Sequence, residues 1–336
     1  MSLPAGPRNA SRLECGPHGC SLRVAPRPPR VPLRLRPGEA SSAAPTRKRR
    51  DRLGEAQLRR HSVYSHIMTE YALELQDITC TFRSKEDHSQ RYTAVGNTTL
   101  RIRAGEFVAV VGPTGCGKST LLNIGAGLLA PSMGTVSVFG KRLEGINTRA
   151  GYMFQSEALM PWRSALHNVM VGLQYRGVPD DQARQQAQAW LERVGLGSFG
   201  DRYPHQLSGG MRKRTALAQV LALDPDIILM DEPFSALDIQ TRQLMENEVL
   251  DLWAAKKKAV LFITHDLDEA IAMSDRVVVL SAGPATHPIG EFAIDLPRPR
   301  HVAEVRSNPR FIALHAQIWD VLRDEVLKGY VQQLKI

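Results

Sequence analysis

A glycine-rich segment, GPTGCGKS from Gly112 to Ser119, carries a lysine and a hydroxyl residue in the pattern G-x-x-x-x-G-K-[ST]. Glycines let backbone N–H groups curl around phosphate oxygens, and Lys118 adds a positive charge for the terminal phosphates. The Ser119 hydroxyl is able to ligate Mg²⁺. The segment follows the apolar run FVAVV and precedes a run with helical spacing, which is the context that this pattern requires. It therefore predicts a site for nucleotide phosphates.

Two carboxylates and a histidine follow apolar runs that we interpret as buried strands. Asp231 and Glu232 come directly after IILM, and His265 follows AVLFIT. Because the carboxyl ends of parallel strands share one edge of a sheet, we expect these side chains near the phosphate segment. Asp231 suits the coordination shell of Mg²⁺, and Glu232 suits the activation of a water aimed at a γ-phosphate. This convergence is what favours a catalytic role for His265 over a structural one.

The segment LSGGM, from Leu207 to Met211, has two consecutive glycines that a packed core does not require. Each glycine costs about 1 kcal/mol inside a helix or strand. Such glycines are expected where the backbone approaches another group closely, and the sequence alone does not identify that group.

Apolar runs separated by helical segments predict a parallel sheet covered on both faces. Between 156 and 222 the helical spacing is not interrupted by a strand, which predicts a helical insertion. A last helix is predicted at 309–327, with an apolar face that packs on the main domain. The strands are predicted at 72–82, 98–104, 107–111, 227–230, 259–264 and 276–280. The apolar face of the last helix consists of Phe311, Leu314, Ile318, Val321 and Leu322.

Charge and proline are concentrated in residues 1–67. This segment holds 14 Lys and Arg residues against 4 Asp and Glu residues, whereas the rest of the chain is close to neutral. Its composition predicts disorder. Three interpretations remain open: sequence upstream of a functional start at Met68, a disordered arm of the protein, or an Arg-rich targeting peptide.

Other features of the composition limit the class of protein. No run of about 18 apolar residues occurs, so the chain is not expected to span a membrane. Cys15, Cys20, Cys80 and Cys116 have no zinc-like spacing and are expected to be reduced thiols in a cytoplasmic protein.

Six motifs occur in order: the phosphate segment, Gln155 in YMFQSEALMPW, LSGGM, MDEP, SALD at 235–238 and His265. From about 71 to 280 the chain therefore resembles the nucleotide-binding subunit of an ATP-binding cassette (ABC) transporter. The resemblance implies an α/β fold of the P-loop NTPase, ABC-type ATPase class, with a mostly parallel sheet core, an antiparallel β subdomain and the inserted helical subdomain. The domain would cover 71–290, followed by a C-terminal helical extension at 291–336.

The resemblance implies roles for residues at matching positions. Phe82 would stack on adenine, with Tyr92 as a competitor across the polar segment between them. Gln155 would be a catalytic residue and a ligand of Mg²⁺ that senses the γ-phosphate. Asp238 would line a dimer interface and belong to the nucleotide-binding residues. The nucleotide-binding residues of the phosphate segment would be Gly112, Pro113, Thr114, Gly115, Cys116, Gly117, Lys118, Ser119 and Thr120.

The resemblance also answers the question raised by LSGGM. Ser208, Gly209 and Gly210 would close over the γ-phosphate of another subunit, so that two ATP molecules lie in a head-to-tail homodimer. Met211 departs from the family, which most often has glutamine there. The basic run Arg212–Arg214 opens a helix, where the helix dipole disfavours cations. It is either a solvated face or a contact with the partner subunit.

Within the family, LSGGM followed by basic residues, together with IDLPRPR near the C-terminus, resembles the nitrate, sulfonate and taurine importers. This implies an ATPase that binds ATP and Mg²⁺ and drives uptake of a small anion through separate permease subunits, supplied by a solute-binding protein. The subunit would lie peripherally on the cytoplasmic face of the cell membrane. Trp162 either belongs to the permease-docking surface or covers a helix.

Two other classes of protein fit the sequence less well. A non-transport ABC ATPase acting on nucleic acid or the ribosome is disfavoured by the single cassette and the near-neutral globular part, so no nucleic-acid partner is expected. A P-loop kinase or GTPase is disfavoured by LSGGM and SALD.

Overall fold

The computed structural model describes residues 70–83, 91–235 and 237–333, so the predictions for 1–67 lie outside the described residues. Within this part of the chain the strands form two sheets. No helix in it is both long enough and apolar enough to cross a membrane. The boundaries that we assign to domains remain a prediction.

A smaller sheet is antiparallel and consists of β1 (Tyr71–Arg83), β2 (Arg91–Arg103), β4 (Met133–Val138) and β5 (Lys141–Arg142). The strand order is β2-β1-β4-β5. Along β1, Leu73 and Leu75 are buried and belong to one core cluster, which the alternation of apolar residues predicts. The second strand begins earlier than the predicted residue 98, so β1 and β2 form a long hairpin.

The larger sheet consists of β3 (Phe107–Val111), β6 (Ala150–Met153), β7 (Ile227–Asp231), β8 (Ala259–Ile263), β9 (Arg276–Leu280) and β10 (Pro288–Ala293). Its order is β10-β9-β3-β8-β7-β6. All neighbours pair in parallel except β10, which is antiparallel to β9 at one edge. The predicted parallel core is therefore confirmed.

Alternate residues of each central strand face two separate hydrophobic clusters. In β3, Phe107, Ala109 and Val111 belong to the cluster shared with most of the helices, whereas Val108 and Val110 belong to the cluster shared with the antiparallel sheet. Side chains alternate across a strand with period 2, so a strand covered on both faces must be apolar throughout. This is why β3, β7 and β8 read as continuous apolar runs.

The helices of the described residues are α1 (Lys118–Gly125), α2 (Ala165–Tyr175), α3 (Asp180–Arg193), α4 (Gly209–Ala222), α5 (Ile239–Lys256), α6 (Leu267–Met273), α7 (Val302–Val305) and α8 (Pro309–Gln333). Two short 3₁₀ turns lie at Gly197–Phe199 and Pro204–Gln206. Helices α2, α3 and α4 lie between β6 and β7, in the range for which a helical insertion is predicted. They pack on one another through buried side chains that include Val169, Leu191 and Leu217.

The last helix, α8, packs on the main core as predicted. Four residues of its predicted apolar face are buried in the larger cluster, and Val321 lies partly buried against it. The helix continues to Gln333, beyond the predicted end at 327. Near this end a Cβ added at Gly329 would lie 3.0 Å from the Cβ of Pro113, so α8 lies directly against the phosphate segment.

Arg300 fastens the segment before α7 to the core. Its guanidinium group donates to the carbonyls of Ser274, Ile294 and Leu296 at 2.6, 3.1 and 2.9 Å. Burial lowers the pKa of Arg300 to about 10, which still leaves the group charged at neutral pH. A buried charge is tolerated only where hydrogen bonds satisfy it, and carbonyl oxygens supply them here.

Candidate functional site

The glycine-rich segment forms the turn between β3 and α1, and its backbone needs glycine at two positions. Gly115 has φ 78° and Gly117, which caps α1, has φ 102°. A side chain is strained in this left-handed region, and a Cβ at Gly117 would also lie 3.2 Å from the carbonyl oxygen of Ala94. The turn thus directs the N-terminus of α1, with its unpaired N–H groups, into the concave side of the segment.

Lys118 begins α1, and its side chain reaches back to the start of the turn. Its side chain is buried, and its ammonium group donates to the carbonyls of Gly112 at 2.8 Å and Pro113 at 2.9 Å. The neighbouring Cys116 is also buried, and burial raises the pKa of its thiol. Cys116 is therefore a packed thiol rather than a thiolate, which agrees with its expected role as a small residue of the turn.

Asp231 ends β7 beside the phosphate segment. Its side chain is 4% exposed, and Oδ1 has no hydrogen-bond partner among the residues that the structure describes. Burial, aided by Glu232, raises the pKa of Asp231, while a hydrogen bond with Ser119 and the charges of Lys118 and Lys213 oppose this. A buried carboxylate oxygen without a partner, beside a hydroxyl, is the donor set that Mg²⁺ uses together with phosphate oxygens. Asp231 and Ser119 therefore fit the ion.

Glu232 adopts a backbone conformation that is unusual for its residue type, with φ 46°. Two contacts hold it there: its N–H donates to the carbonyl of Ile263 at 2.9 Å, and its carbonyl accepts from the Ser235 hydroxyl at 3.0 Å. Such strain persists only where surrounding contacts over-determine it, and it is typical of functional sites.

The three residues predicted to be catalytic meet at one carboxylate oxygen. Glu232 Oε2 lies 3.2 Å from Gln155 Nε2 and 3.4 Å from His265 Nδ1. Gln155 follows β6 and His265 follows β8, so the two strands on either side of β7 deliver them to the same edge of the sheet. The sheet order, in which β7 lies between its partners, is what makes this convergence possible.

A cavity of about 350 Å³ is lined by half of the predicted site residues. Phe82 and Tyr92 lie opposite each other across β1 and β2, and both line it. Phe82 and Tyr92, the two candidates for stacking on adenine, thus form one wall of the cavity together. Both side chains are partly exposed. The other lining residues are Ala94, Thr114, Gly115, Gly117, Lys118, Ser119, Thr120, Gln155 and Glu232.

The LSGG segment is not part of this cavity as the described residues of one chain form it. Ser208 is exposed and caps α4, its hydroxyl accepting from the Met211 N–H at 3.2 Å. A Cβ at Gly209 would meet only the end of Arg212, at 3.8 Å. Asp238 is likewise exposed and caps α5 by accepting from the Thr241 N–H at 3.0 Å. The structure thus places the predicted site residues in two groups.

One residue of the basic run after LSGGM, Lys213, differs from both expectations, whereas Arg212 and Arg214 are partly exposed. Lys213 is 3% exposed, so in this fold it is neither on a solvated face nor free to contact a second subunit. The spacing contained the signal, because Lys213 precedes the buried residues Ala216, Leu217 and Val220 of α4 by three, four and seven positions. The carbonyls to which Arg212, Lys213 and Arg214 donate are those of Leu207, Phe154, Gln155 and Val194.

Two further side chains are placed by the structure. Trp162 is 73% exposed, so it does not cover a helix. The Met211 side chain lies partly buried against the larger core cluster, which explains how an apolar residue is accommodated after LSGG.

A family model described as ABC transporter matches residues 95–235. An uncharacterised ABC transporter ATP-binding protein of Methanocaldococcus jannaschii is 46% identical over 76% of this chain and 93% of its own length. A nitrate import ATP-binding protein of Synechocystis is 39% identical over 75% and 95% of the two chains. A taurine import ATP-binding protein of Pseudomonas aeruginosa is 40% identical over 72% and 93%.

Solved structures give the same result for the fold. A dimeric ATP-binding cassette in a post-hydrolysis state, bound to ADP and Pi, is 30% identical and superposes with a TM-score of 0.61, over 67% of this chain and all of that one. With the phosphate-binding turn and the acidic strand end described above, these relationships show that the chain belongs to the ATP-binding proteins of ABC transporters and carries an ABC-type ATPase domain.

Proposed function

We propose that the chain is the ATP-hydrolysing subunit of an importer for small anions, such as nitrate or sulfonates, and that it works as a homodimer on separate permease subunits. The observation that carries the enzymatic part is the meeting of Gln155 and His265 at one oxygen of Glu232, at the edge of the phosphate cavity. The dimer, the permease partner and the anionic solute are supported by exposed residues and by the names of similar proteins.

The chemistry follows from this arrangement. The Glu232 carboxylate accepts a proton from a water that attacks the γ-phosphate, and Gln155 and His265 orient that carboxylate. Lys118 and the N–H groups of the turn bind the phosphates. Mg²⁺, held by Ser119 and Asp231, would offset the negative charge of the phosphate oxygens.

The dimer is supported by the two groups of site residues. Ser208, Gly209 and Gly210 lie at the N-terminus of α4, where the first N–H groups of a helix have no partner within it. These groups suit a phosphate, yet the chain's own phosphate cavity does not include them. A second copy would bring them to it, and a similar cassette has been solved as a dimer with ADP and Pi.

A permease partner and an anionic solute are supported by two observations. Trp162 is exposed on the segment that leads from Gln155 into α2, where a docked protein would contact both the aromatic ring and the Gln155 loop. Two relatives are named for nitrate import and for taurine import, and the similarity covers 95% and 93% of their own lengths. The subunit would then lie on the cytoplasmic face of the membrane, with a solute-binding protein on the other side.

The substitution Glu232→Gln tests the enzymatic part. Loss of a general base lowers turnover by about 100-fold or more, whereas the amide leaves the phosphate cavity intact. We expect ATP affinity to stay within about threefold of wild type, measured by equilibrium binding beside ATPase kinetics. Unchanged turnover would remove Glu232 from this role.

Partners are tested by purification of the tagged chain from its own membranes, followed by uptake of labelled nitrate and taurine into vesicles that contain the recovered complex. Recovery of a multispanning permease and ATP-dependent uptake of either anion are expected. Recovery of nucleic acid in place of a permease would favour the non-transport class.

A further inference from the structure

Lys213 is a buried lysine to which none of the roles above gives a function. It lies on α4 four residues after the glycine that begins the helix, and its side chain is 3% exposed. Burying an ammonium group costs several kcal/mol unless partners satisfy it. A methionine or leucine at this position would continue the apolar face of α4 without that cost, so the position of the charge needs an explanation.

The ammonium group of Lys213 holds the segment that carries Gln155. It donates to the carbonyl of Gln155 and, at 3.4 Å, to the carbonyl of Phe154. The preceding residue, Arg212, lies with Nε 3.8 Å from Glu157 Oε2. Two consecutive cations of α4 therefore contact the same short segment. Lys213 contacts its backbone carbonyls, and Arg212 contacts the Glu157 side chain.

Burial and nearby carboxylates act in opposite directions on Lys213. Burial lowers the pKa of Lys213, while the carboxylates of Glu157, Asp231 and Glu232 act in the opposite direction. Lys213 is thus close enough to the acidic edge of the site to interact with it electrostatically, although its hydrogen bonds go to backbone carbonyls.

These contacts form a continuous path between the two groups of site residues. The path runs from Ser208 at the start of α4, through Lys213, to the Gln155 backbone, and from the Gln155 amide to Glu232. Because α4 is a rigid helix held to this segment, a displacement of its N-terminus would shift the Gln155 side chain relative to the Glu232 carboxylate.

We propose that Lys213 is a positioning residue, which ties the helix that follows LSGG to the Gln155 segment and so couples engagement of a second subunit to the orientation of Gln155 against Glu232. The proposal rests on the proposed function, because it assigns a cause to the order of Gln155 in that same site. Its structural part, the tie itself, does not depend on ATP.

The first test is hydrogen–deuterium exchange on the nucleotide-free full chain. Lys213→Met keeps an unbranched side chain that is one atom shorter and removes the donor. We expect exchange of the amides at 153–157 to be faster by about tenfold, since a local hydrogen-bonded contact is lost. Lys141→Met, at an exposed lysine on β5, is the matched control and should leave these amides unchanged. Equal exchange in both variants overturns the proposal.

The second test separates binding from turnover. A misplaced Gln155 should lower kcat of Lys213→Met by about tenfold or more while the Kd for ATP stays within about threefold, and Lys213→Arg should recover part of the loss. The midpoint of thermal unfolding is measured for each variant. A loss of ATP affinity and thermal stability in proportion to the loss of kcat would mean that Lys213 only supports the fold, and overturns the proposal.

If Lys213→Met does not fold, Lys213→Gln carries the test. Its shorter side chain reaches fewer of the carbonyls, so a smaller increase in exchange at the same amides is expected, and unchanged exchange there overturns the proposal. The proposed ATPase function and the proposed role of Lys213 can be refuted separately. If the wild-type chain did not hydrolyse ATP, the proposed function would fall, while the exchange result would still decide whether Lys213 holds the Gln155 segment.

Discussion

The phosphate turn at 112–119 and the LSGGM segment at 207–211 are both rich in glycine, but for different reasons. In the phosphate turn, Gly115 and Gly117 adopt positive φ angles, so the chain's own backbone requires them. At Gly209 the backbone is an ordinary helix start, and a Cβ would meet only the end of a flexible arginine. The first segment is explained within one chain. In the second, no described residue of the chain requires the glycine at 209.

The difference teaches how to assign a glycine-rich motif to its partner. A glycine that the local conformation demands gives no evidence of a ligand by itself, whereas a glycine that no described residue demands leaves its backbone open to another molecule. Under the proposed function, the first segment binds a nucleotide in the same subunit and the second covers a nucleotide in the other.

The largest effect is expected from Ser208→Arg. A long cation at this exposed position would prevent the approach of a second subunit, and the loss of phosphate contacts lowers turnover by about 100-fold. Binding of ATP to the separate chain should not change, because Ser208 does not line the cavity among the described residues. ATPase assays and equilibrium binding of a fluorescent ATP analogue measure the two effects.

A mixed dimer provides the control for this prediction. Lys118→Ala should abolish binding in its own subunit, yet supply an intact LSGG segment to a partner. Mixing this variant with Ser208→Arg should therefore restore part of the activity that neither has alone. If the mixture stays inactive, or if Ser208→Arg alone loses ATP binding, the assignment of the two segments to different subunits is wrong.

Smaller and opposite effects are expected from alanine at Gly115 and Gly209. Gly115→Ala places a side chain at positive φ and should lower the free energy of unfolding by about 1–3 kcal/mol. Gly209→Ala removes backbone entropy from a helix and should raise it by up to about 1 kcal/mol. Denaturant unfolding measures both. If both variants changed the free energy of unfolding in the same direction, the comparison of the two segments would be wrong. Gly209→Ala should still impair ATPase activity.

The smallest effect is expected from Met211→Gln. The proposed contacts of LSGG are made by backbone N–H groups, so kcat should change by less than about threefold. The Met211 side chain packs on the core, and its replacement should lower the free energy of unfolding by about 1 kcal/mol. A large gain in kcat would show that the side chain at 211 takes part in the chemistry, against the backbone-only account of this segment.

Much of this architecture is predictable from sequence because it depends on local patterns. The buried parallel strands read as apolar runs, and the catalytic candidates at Glu232 and His265 follow them directly. The short strands β4, β5, β6 and β10 are not evident, because each pairs at or near a sheet edge and none contains a continuous apolar run. Edge strands are held by tertiary contacts rather than by propensity.

The parts of the site that sequence reasoning missed depend on distance rather than on pattern. Nothing in the run MRKR indicates that the Lys213 ammonium reaches the carbonyl of Gln155, because the two residues are 58 positions apart in the sequence. The helical spacing placed Lys213 on the apolar face, but a basic residue is normally assigned to solvent. In the same way, the shared wall of Phe82 and Tyr92 follows from strand register, which pairs them only once the hairpin is formed.

Under the proposed function, in which Glu232 is the general base, its left-handed backbone implies that stability and activity oppose each other at this residue. Glycine or asparagine would adopt φ 46° with less strain than glutamate, so the fold would gain by giving up its base. Selection of random variants for thermostability alone would therefore favour replacement of Glu232 and yield inactive chains. A stabilised library of this protein needs Glu232 held fixed, and needs the contacts of Ile263 and Ser235 retained with it.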